Sequence, residues 1–175
     1  AALLSFRNKN KIVYFAQDYD EAYYKNSLLK LVIRISYYYC LSVLKIPVIS
    51  VSDELAQLFE RRFNAHVTVV KNGVDREVFY PEKDDTYMTL RGNSKVILVF
   101  ARGDYRKGFD IAVSVLSEFS EAIAKGELAV WAVGEPIEVP FLIRNFGFVS
   151  PELLRKILSC SDVLLYPSRH EGLPL

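Results

Sequence analysis

Cysteine and histidine are scarce in this sequence, since 175 residues include two of each. Cys40 and Cys160 lie far apart and lack the spacing of metal ligands. This usage indicates two reduced thiols in an intracellular protein rather than a disulfide framework, and it argues against a zinc site. The motifs GxGxxG, GxxxxGK[ST], HExxH and GxSxG are also missing, which excludes several common classes of enzyme.

An excess of positive charge is missing as well. Twenty-two Lys and Arg residues against 21 Asp and Glu give a formal net charge of +1. The chain therefore lacks the global basic field that draws proteins to nucleic acid, and we expect no nucleic-acid partner. Any anionic ligand must be bound by a local group of cations.

The sequence also lacks an uncharged apolar run long enough to cross a membrane. The longest apolar stretch, residues 27–52, is interrupted by Lys30, Arg34 and Lys45, which favours a buried or half-buried helix followed by a strand. A helix of this basic, tyrosine-rich kind can alternatively contact a membrane surface. The first residues show no cleavage-site pattern after a long apolar region, so we do not interpret them as a signal peptide.

What is present is an alternation of short β-rich apolar runs with longer segments of helical period. That alternation predicts an α/β fold with parallel sheets covered on both faces, in two units of about three and four strands. Ser52 and Ser150 are expected to cap helices. Strands are predicted within 11–17, 47–52, 66–73, 95–101, 127–134, 143–149 and 162–168, and helices over about 26–44, 53–63, 109–124 and from 151.

Residues 75–94 change in character, being polar and without a sustained period. This stretch is interpreted as a linker or domain boundary. The sequence thus predicts a first domain over 1–80, a linker over 81–94 and a second domain over 95–175.

Ligands of open α/β sheets bind outside the carboxyl ends of the strands, so the loops after the strands are the candidate sites. Arg102, Arg106, Lys107 and Gly108 crowd one strand-to-helix turn, where a phosphate could bind; the alternative is a solvated basic loop. Gly134 could let backbone approach a flat ligand, or it could simply make a turn.

A carboxylate also follows the last strand. Glu171, followed by a glycine, could accept hydrogen bonds from sugar hydroxyls, although such a residue is more often an ordinary surface group. His170 beside it carries no stronger signal.

Four separated motifs occur in the order found in one enzyme family. "PVISVSDELAQLF", "VTVVKNGVDREVF", "ARGDYRKG" and "GFVSPELLRKILSCSDVLLYPSRHEG" resemble the retaining glycosyltransferases of family 4, over about residues 46–175. Two positions depart from the family pattern, where Ala101 replaces a glycine and Ser161 an alanine. The resemblance implies a GT-B fold, in which two Rossmann-like domains face each other across a cleft, here with both domains incomplete.

The resemblance also implies roles for individual residues. Arg102 and Lys107, with Gly108 beside them, would bind the diphosphate of a nucleotide-sugar donor and neutralise it as it leaves. Glu171 would match the first glutamate of the family's paired glutamates and contact the donor sugar. Gly134 and Val149 would lie near the base. No metal and no further cofactor is expected, because basic side chains would do the work of a metal.

The sequence contains fewer residues that point to an acceptor-binding site. Gln17 and Asp18 lie at the end of the first predicted strand and Asn72 at the end of the third. They are candidates for contacts to a saccharide or lipid-linked acceptor; for Gln17 and Asp18 the alternative is an ordinary polar strand end. A cytoplasmic enzyme of polysaccharide or glycoconjugate synthesis is expected, with possible contact at the inner face of the membrane. The alternative is a non-catalytic nucleotide-binding or partner module derived from the same fold.

Overall fold

A computed structural model describes residues 12–173 of the chain. These residues form two compact units. The first takes in the described residues up to Gly73 together with Glu171 to Leu173, and the second runs from Val74 to His170.

The first unit is a three-stranded parallel sheet with two long helices. The strands are paired in the order β1-β2-β3, with Tyr14 opposite Val48 and Val48 opposite Val67. The elements are β1 (Tyr14–Ala16), α1 (Ser27–Tyr37), β2 (Val48–Ser50), α2 (Asp53–Phe63) and β3 (Val67–Val69), with a short 3-10 turn at Asp20–Tyr23 and a π-helical turn at Tyr38–Val43 that continues α1.

Helix α2 has the bounds and the cap that the sequence predicts. The Ser52 hydroxyl accepts a hydrogen bond from the Leu55 amide at 3.2 Å, which satisfies one of the amides left open in the first turn. Phe59 and Phe63 are buried on the inner face of the helix, where the Phe59 ring makes edge contacts with those of Tyr14 and Tyr37. This apolar face fixes α2 against the sheet.

The second unit is a four-stranded parallel sheet in the order β6-β5-β4-β7. Its two faces carry separate apolar clusters, one with Val99 and Ala101 of β4 and the other with Val96 and Leu98. The elements are α3 (Asp85–Arg91), β4 (Lys95–Ala101), α4 (Phe109–Ser117), α5 (Ser120–Ala124), β5 (Leu128–Gly134), β6 (Arg144–Asn145), α6 (Pro151–Ser159) and β7 (Val163–Leu165), with a 3-10 turn at Tyr105–Lys107.

The parallel α/β architecture predicted from the sequence is confirmed, and residues 12–173 contain three strands in the first unit and four in the second, as expected. A strand buried on both faces should alternate its side chains between two clusters, and β4 does so from Val96 to Ala101. Ser150 caps α6 by accepting a hydrogen bond from the Leu153 amide at 3.3 Å.

The polar stretch 75–94, which the sequence analysis interprets as a linker or domain boundary, contains the short helix α3. The Asp84 carboxylate accepts hydrogen bonds from the amides of Thr86 and Tyr87 and so starts the helix. The Tyr87 ring then packs edge-on against Trp131 at 6.0 Å between ring centroids. This packing stabilises a helix that has too few turns to show a clear period.

Within residues 12–173, no helix is long and apolar enough to span a bilayer.

Candidate functional site

The carboxyl ends of β4 and β5, together with the turn after β6, meet at one edge of the second unit. The Gly134 amide donates a hydrogen bond to the Gly147 carbonyl at 2.9 Å, and the Glu135 amide donates one to the Ala101 carbonyl at 2.8 Å. Gly134 has φ +127°, and a Cβ at this position would lie 2.2 Å from the Ala101 carbonyl oxygen. Glycine is therefore needed here for the ends of β4 and β5 to pack.

The loop after β4 presents the basic residues predicted to bind an anion. Asp104 holds this loop in shape, because its carboxylate accepts a hydrogen bond from the Arg106 amide and also pairs with the Arg106 guanidinium. That guanidinium lowers the pKa of Asp104. Arg102 is exposed and makes no ion pair with the described residues, while Lys107 is half-buried at the end of the 3-10 turn.

Gly108 joins this loop to α4 and is needed at its position for two reasons. Its φ of +68° is a left-handed conformation that costs a residue with a side chain about 1–2 kcal/mol. A Cβ at Gly108 would also lie only 1.9 Å from the Pro167 carbonyl oxygen. The glycine thus lets the loop that follows β7 lie directly on the loop that follows β4.

The loop after β7 is bonded to the 3-10 turn through Ser168 and Arg169, two residues that the sequence analysis did not identify as part of a site. The Arg169 amide and the Ser168 hydroxyl both donate to the Arg106 carbonyl, at 2.8 and 3.0 Å. The Arg169 guanidinium pairs with Asp110 at 2.7 Å and lies over the Tyr105 ring at 3.9 Å. This ion pair lowers the pKa of Asp110 and raises that of Arg169. Two loops far apart in sequence are thereby held together.

A cavity of about 420 Å³ opens beside this junction, within the size range of small-molecule sites. Arg102 contributes to its wall, and the Gly103 amide donates to the Glu135 carboxylate at 3.0 Å. The residues lining the cavity are Arg102, Gly103, Asp104, Tyr105, Phe109, Asp110, Val113 and Ile137.

Val149, a predicted neighbour of the base, packs against the cluster around Trp131 and Ile157. Its partly buried side chain therefore supports this edge of the sheet. Asp110, Glu135 and Arg169 are the residues of this site that the sequence analysis missed. No local pattern marks them, because each acts through a partner distant in sequence.

In the first unit, Gln17 and Asn72 follow β1 and β3 and lie at the carboxyl edge of its sheet, as predicted for parallel strands. The Asp18 carboxylate accepts hydrogen bonds from the Tyr19 amide at 2.7 Å and from the Tyr23 hydroxyl at 2.5 Å. These bonds stabilise the turn that follows β1.

Glu171, expected with the second domain, groups with the first unit. The residues after it explain this placement. A Cβ at Gly172 would lie 1.8 Å from the Gln17 carbonyl oxygen, and Leu173 packs against the apolar cluster of the first unit.

No protein-family model matches the sequence, and no curated protein matches it either. The structure, however, resembles several solved structures. Sucrose-phosphate synthase from Thermosynechococcus elongatus aligns over 98% of this chain with a TM-score of 0.69 and 14% identity. HepE from Anabaena, solved with UDP and glucose, aligns over 95% with a TM-score of 0.67 and 18% identity. WaaG, a glycosyltransferase involved in lipopolysaccharide biosynthesis, aligns over 91% with a TM-score of 0.65 and 19% identity.

The chain spans about half the length of these proteins, 48%, 49% and 51% respectively. At such identities the likeness concerns the fold. The parallel α/β fold of GT-B type predicted from the motifs is thus confirmed, and the chain has the fold of about half of a GT-B glycosyltransferase.

Proposed function

We propose that this chain is part of a glycosyltransferase that moves a sugar from a nucleoside-diphosphate donor to an acceptor hydroxyl. The observation that carries the proposal is the junction of the loops after β4 and β7, where Arg102 and Lys107 follow a parallel strand at the edge used by ligands in α/β sheets. Support comes from the fold neighbours, one of which was solved with UDP and glucose and another with UDP-2-fluoro-glucose.

In the proposed reaction, the oxygen of the acceptor hydroxyl forms a bond to the anomeric carbon of the sugar as the bond between that carbon and the diphosphate breaks. The electron pair of the broken bond stays on the diphosphate oxygen, which takes up the proton of the acceptor hydroxyl. Negative charge grows there as the bond lengthens. Fixed cations stabilise that charge more in the transition state than in the ground state, which accelerates the step. We assign this role to Arg102 and Lys107, and we expect the reaction to proceed in the presence of a chelator because these cations replace a metal.

The finer features of the reaction belong to the same proposal. We infer retention of configuration at the transferred sugar and a place in polysaccharide or glycoconjugate synthesis from the motif resemblance. Glu171 is proposed to contact the donor sugar, and the backbone near Gly134 and Val149 to contact the base. Gln17, Asp18 and Asn72 are proposed for the acceptor, which is a saccharide or a lipid-linked saccharide.

The proposed domain organisation is also that of the sequence analysis, with parts of an acceptor domain over 1–80 and of a donor domain over 95–175. The proposed location is the cytoplasm, at the inner face of the membrane. Cys40 and Cys160 are both free thiols, as is usual in a reducing compartment.

The donor half of the proposal can be tested on the chain itself by calorimetric titration with UDP, GDP, ADP and TDP. One of these nucleotides should bind, and Lys107→Ala should weaken its binding about tenfold or more because a charge-assisted contact to phosphate is lost. Lys125→Ala is the matched control, since Lys125 belongs to the same unit and pairs with Glu121 at 2.6 Å.

Equal affinities for the Lys107 and Lys125 variants would contradict the diphosphate assignment. Binding that depends on Lys107, without sugar transfer in a longer chain that includes both complete domains, would instead favour the non-catalytic nucleotide-binding module. The stereochemistry is tested in that longer chain by proton NMR of the first product, in which the anomeric configuration of the donor should be kept.

A further inference from the structure

Glu135 is held at the carboxyl edge of the second sheet by hydrogen bonds to both of its backbone groups. Its amide donates to the Ala101 carbonyl at 2.8 Å, and its carbonyl accepts a hydrogen bond from the Asn145 side-chain amide at 2.7 Å. The Asn145 side-chain oxygen in turn accepts a hydrogen bond from the Gly147 amide at 2.8 Å. The first residue after β5 is therefore tied to the ends of β4 and β6, so its side chain starts from a fixed point.

The Glu135 side chain extends from this point to the loop that follows β4. Its carboxylate accepts a hydrogen bond from the Gly103 amide at 3.0 Å, and the negative charge strengthens such a bond. The contact is close, since a Cβ at Gly103 would lie 3.1 Å from the same carboxylate oxygen. Residues 102–104 belong to no helix or strand. The bond from Gly103 to Glu135 therefore restrains a segment that regular secondary structure does not hold.

The restrained peptide is the one that joins Arg102 to Gly103. Fixing its plane limits the directions in which Arg102 can present its side chain at the cavity of about 420 Å³. Within residues 12–173, the Arg102 guanidinium makes no ion pair with Glu135 or another carboxylate. Asp104 differs, because its carboxylate binds the Arg106 amide and also pairs with the Arg106 guanidinium. Glu135 thus restrains the loop without neutralising its cation.

We propose that Glu135 is a positioning residue of the donor site, which directs Arg102 toward the diphosphate through the Gly103 amide. The inference rests on the proposed role of Arg102 in binding that diphosphate. A cation held in place binds an anion more tightly than a mobile one, because less conformational freedom is lost on binding. The negative charge of Glu135 opposes the binding of the same anion. The hydrogen bond and the charge therefore act in opposite directions, and substitutions can separate them.

The hydrogen bond can be tested without a ligand, by amide hydrogen exchange of the chain followed by NMR. The Gly103 amide should exchange faster in Glu135→Ala than in the parent because it loses its acceptor, whereas Glu135→Gln keeps an oxygen that accepts the same bond. Glu138→Ala is the matched control, since it removes an exposed carboxylate three residues further along the same loop. Equal exchange in the parent and in Glu135→Ala would overturn the proposal and leave the glycosyltransferase proposal unaffected.

The positioning can be tested by calorimetric titration of the same variants with inorganic pyrophosphate. Glu135→Ala should weaken binding about fivefold, because Arg102 is then less restrained. Glu135→Gln and Glu138→Ala should bind at least as tightly as the parent, since each removes a negative charge and keeps the bond to Gly103. A carboxylate that only repelled the anion would give tighter binding in both Glu135 variants, and that result would overturn the proposal. Circular dichroism of each variant checks that it is folded.

Arg102→Ala distinguishes the positioning of Arg102 from a general loosening of the sheet edge. If Glu135 acts through Arg102, the double variant Glu135→Ala, Arg102→Ala should bind pyrophosphate as well as Arg102→Ala alone. A further loss of the same size in the double variant would overturn the proposal. Absence of pyrophosphate binding by the parent would overturn the diphosphate assignment and the role of Glu135 together. Binding that depends on Arg102 but not on Glu135 would overturn the role of Glu135 alone.

Discussion

Replacing Gly108 by alanine tests how closely the two loops of the candidate site are packed. The added methyl carbon would lie 1.9 Å from the Pro167 carbonyl oxygen, and the residue would keep a φ of +68°. The left-handed conformation costs about 1–2 kcal/mol, and displacing a packed backbone costs a further 1–3 kcal/mol or so. We therefore expect Gly108→Ala to lower the free energy of unfolding of the second unit by about 3 kcal/mol.

Gly126 provides a control in the same unit. Its φ of +74° is nearly that of Gly108, but no atom beyond its neighbours in the chain lies within 4 Å of a Cβ built there. Gly126→Ala thus carries the conformational cost alone, about 1–2 kcal/mol. The difference between the two variants measures the contact with Pro167.

Urea unfolding followed by tryptophan fluorescence can make this comparison. Trp131 is the single tryptophan of the chain. It is only 2% exposed and lies in the core of the second unit, so its fluorescence reports on the unfolding of that unit. UDP titration of the same samples should show weaker binding for Gly108→Ala than for Gly126→Ala, because only the former moves the loop that carries Lys107. Equal losses of stability in the two variants would refute the close approach of Gly108 to Pro167.

Two further predictions concern the first unit. The hydrogen bond from Arg34 lowers the pKa of Glu21 to about 2 from an ordinary value of 4.5, so this carboxylate stabilises the unit above pH 4.5 and loses that effect as the pH falls toward 2. Near-ultraviolet circular dichroism of the tyrosines should show this loss in the parent and not in Glu21→Gln, and an identical acid profile in both would contradict it. Tyr37→Phe should cost about 1 kcal/mol because the hydroxyl donates to Asp20 at 2.7 Å. Tyr38→Phe is the control, because Tyr38 is 59% exposed and its replacement should change the free energy of unfolding little. Equal losses in Tyr37→Phe and Tyr38→Phe would show that the hydrogen bond from Tyr37 to Asp20 does not stabilise the unit.

The elements that the sequence predicted well are those with strong local signals. Strand β4 has the predicted bounds, Lys95–Ala101, because an uninterrupted run of apolar residues allows few other arrangements. Ser52 and Ser150 cap helices as predicted, since the capping hydrogen bond joins residues three apart in sequence. Strand lengths were overestimated elsewhere. β6, for example, pairs over Arg144–Asn145 alone, because pairing depends on the neighbouring strand.

The elements that the sequence did not predict depend on distant partners. α3 is a short helix stabilised by the contact of Tyr87 with Trp131, which no local pattern reveals. The grouping of Glu171 with the first unit likewise depends on where Leu173 finds an apolar cluster. Local propensity decides where a segment can be helical or extended, whereas packing decides which segments meet.

The same distinction applies to the cations of the candidate site. The motif resemblance assigns the diphosphate to Arg102 and Lys107, but it says nothing of the roles of Arg106 and Arg169. Arg106 is paired with Asp104, and Arg169 with a carboxylate 59 positions away in the chain, so both guanidiniums serve to hold the loops. Within residues 12–173, Arg102 makes no such pair and is exposed at the wall of the cavity. A guanidinium whose charge is not already compensated attracts an anion most strongly, which is why we assign the diphosphate to Arg102 rather than to its two neighbours.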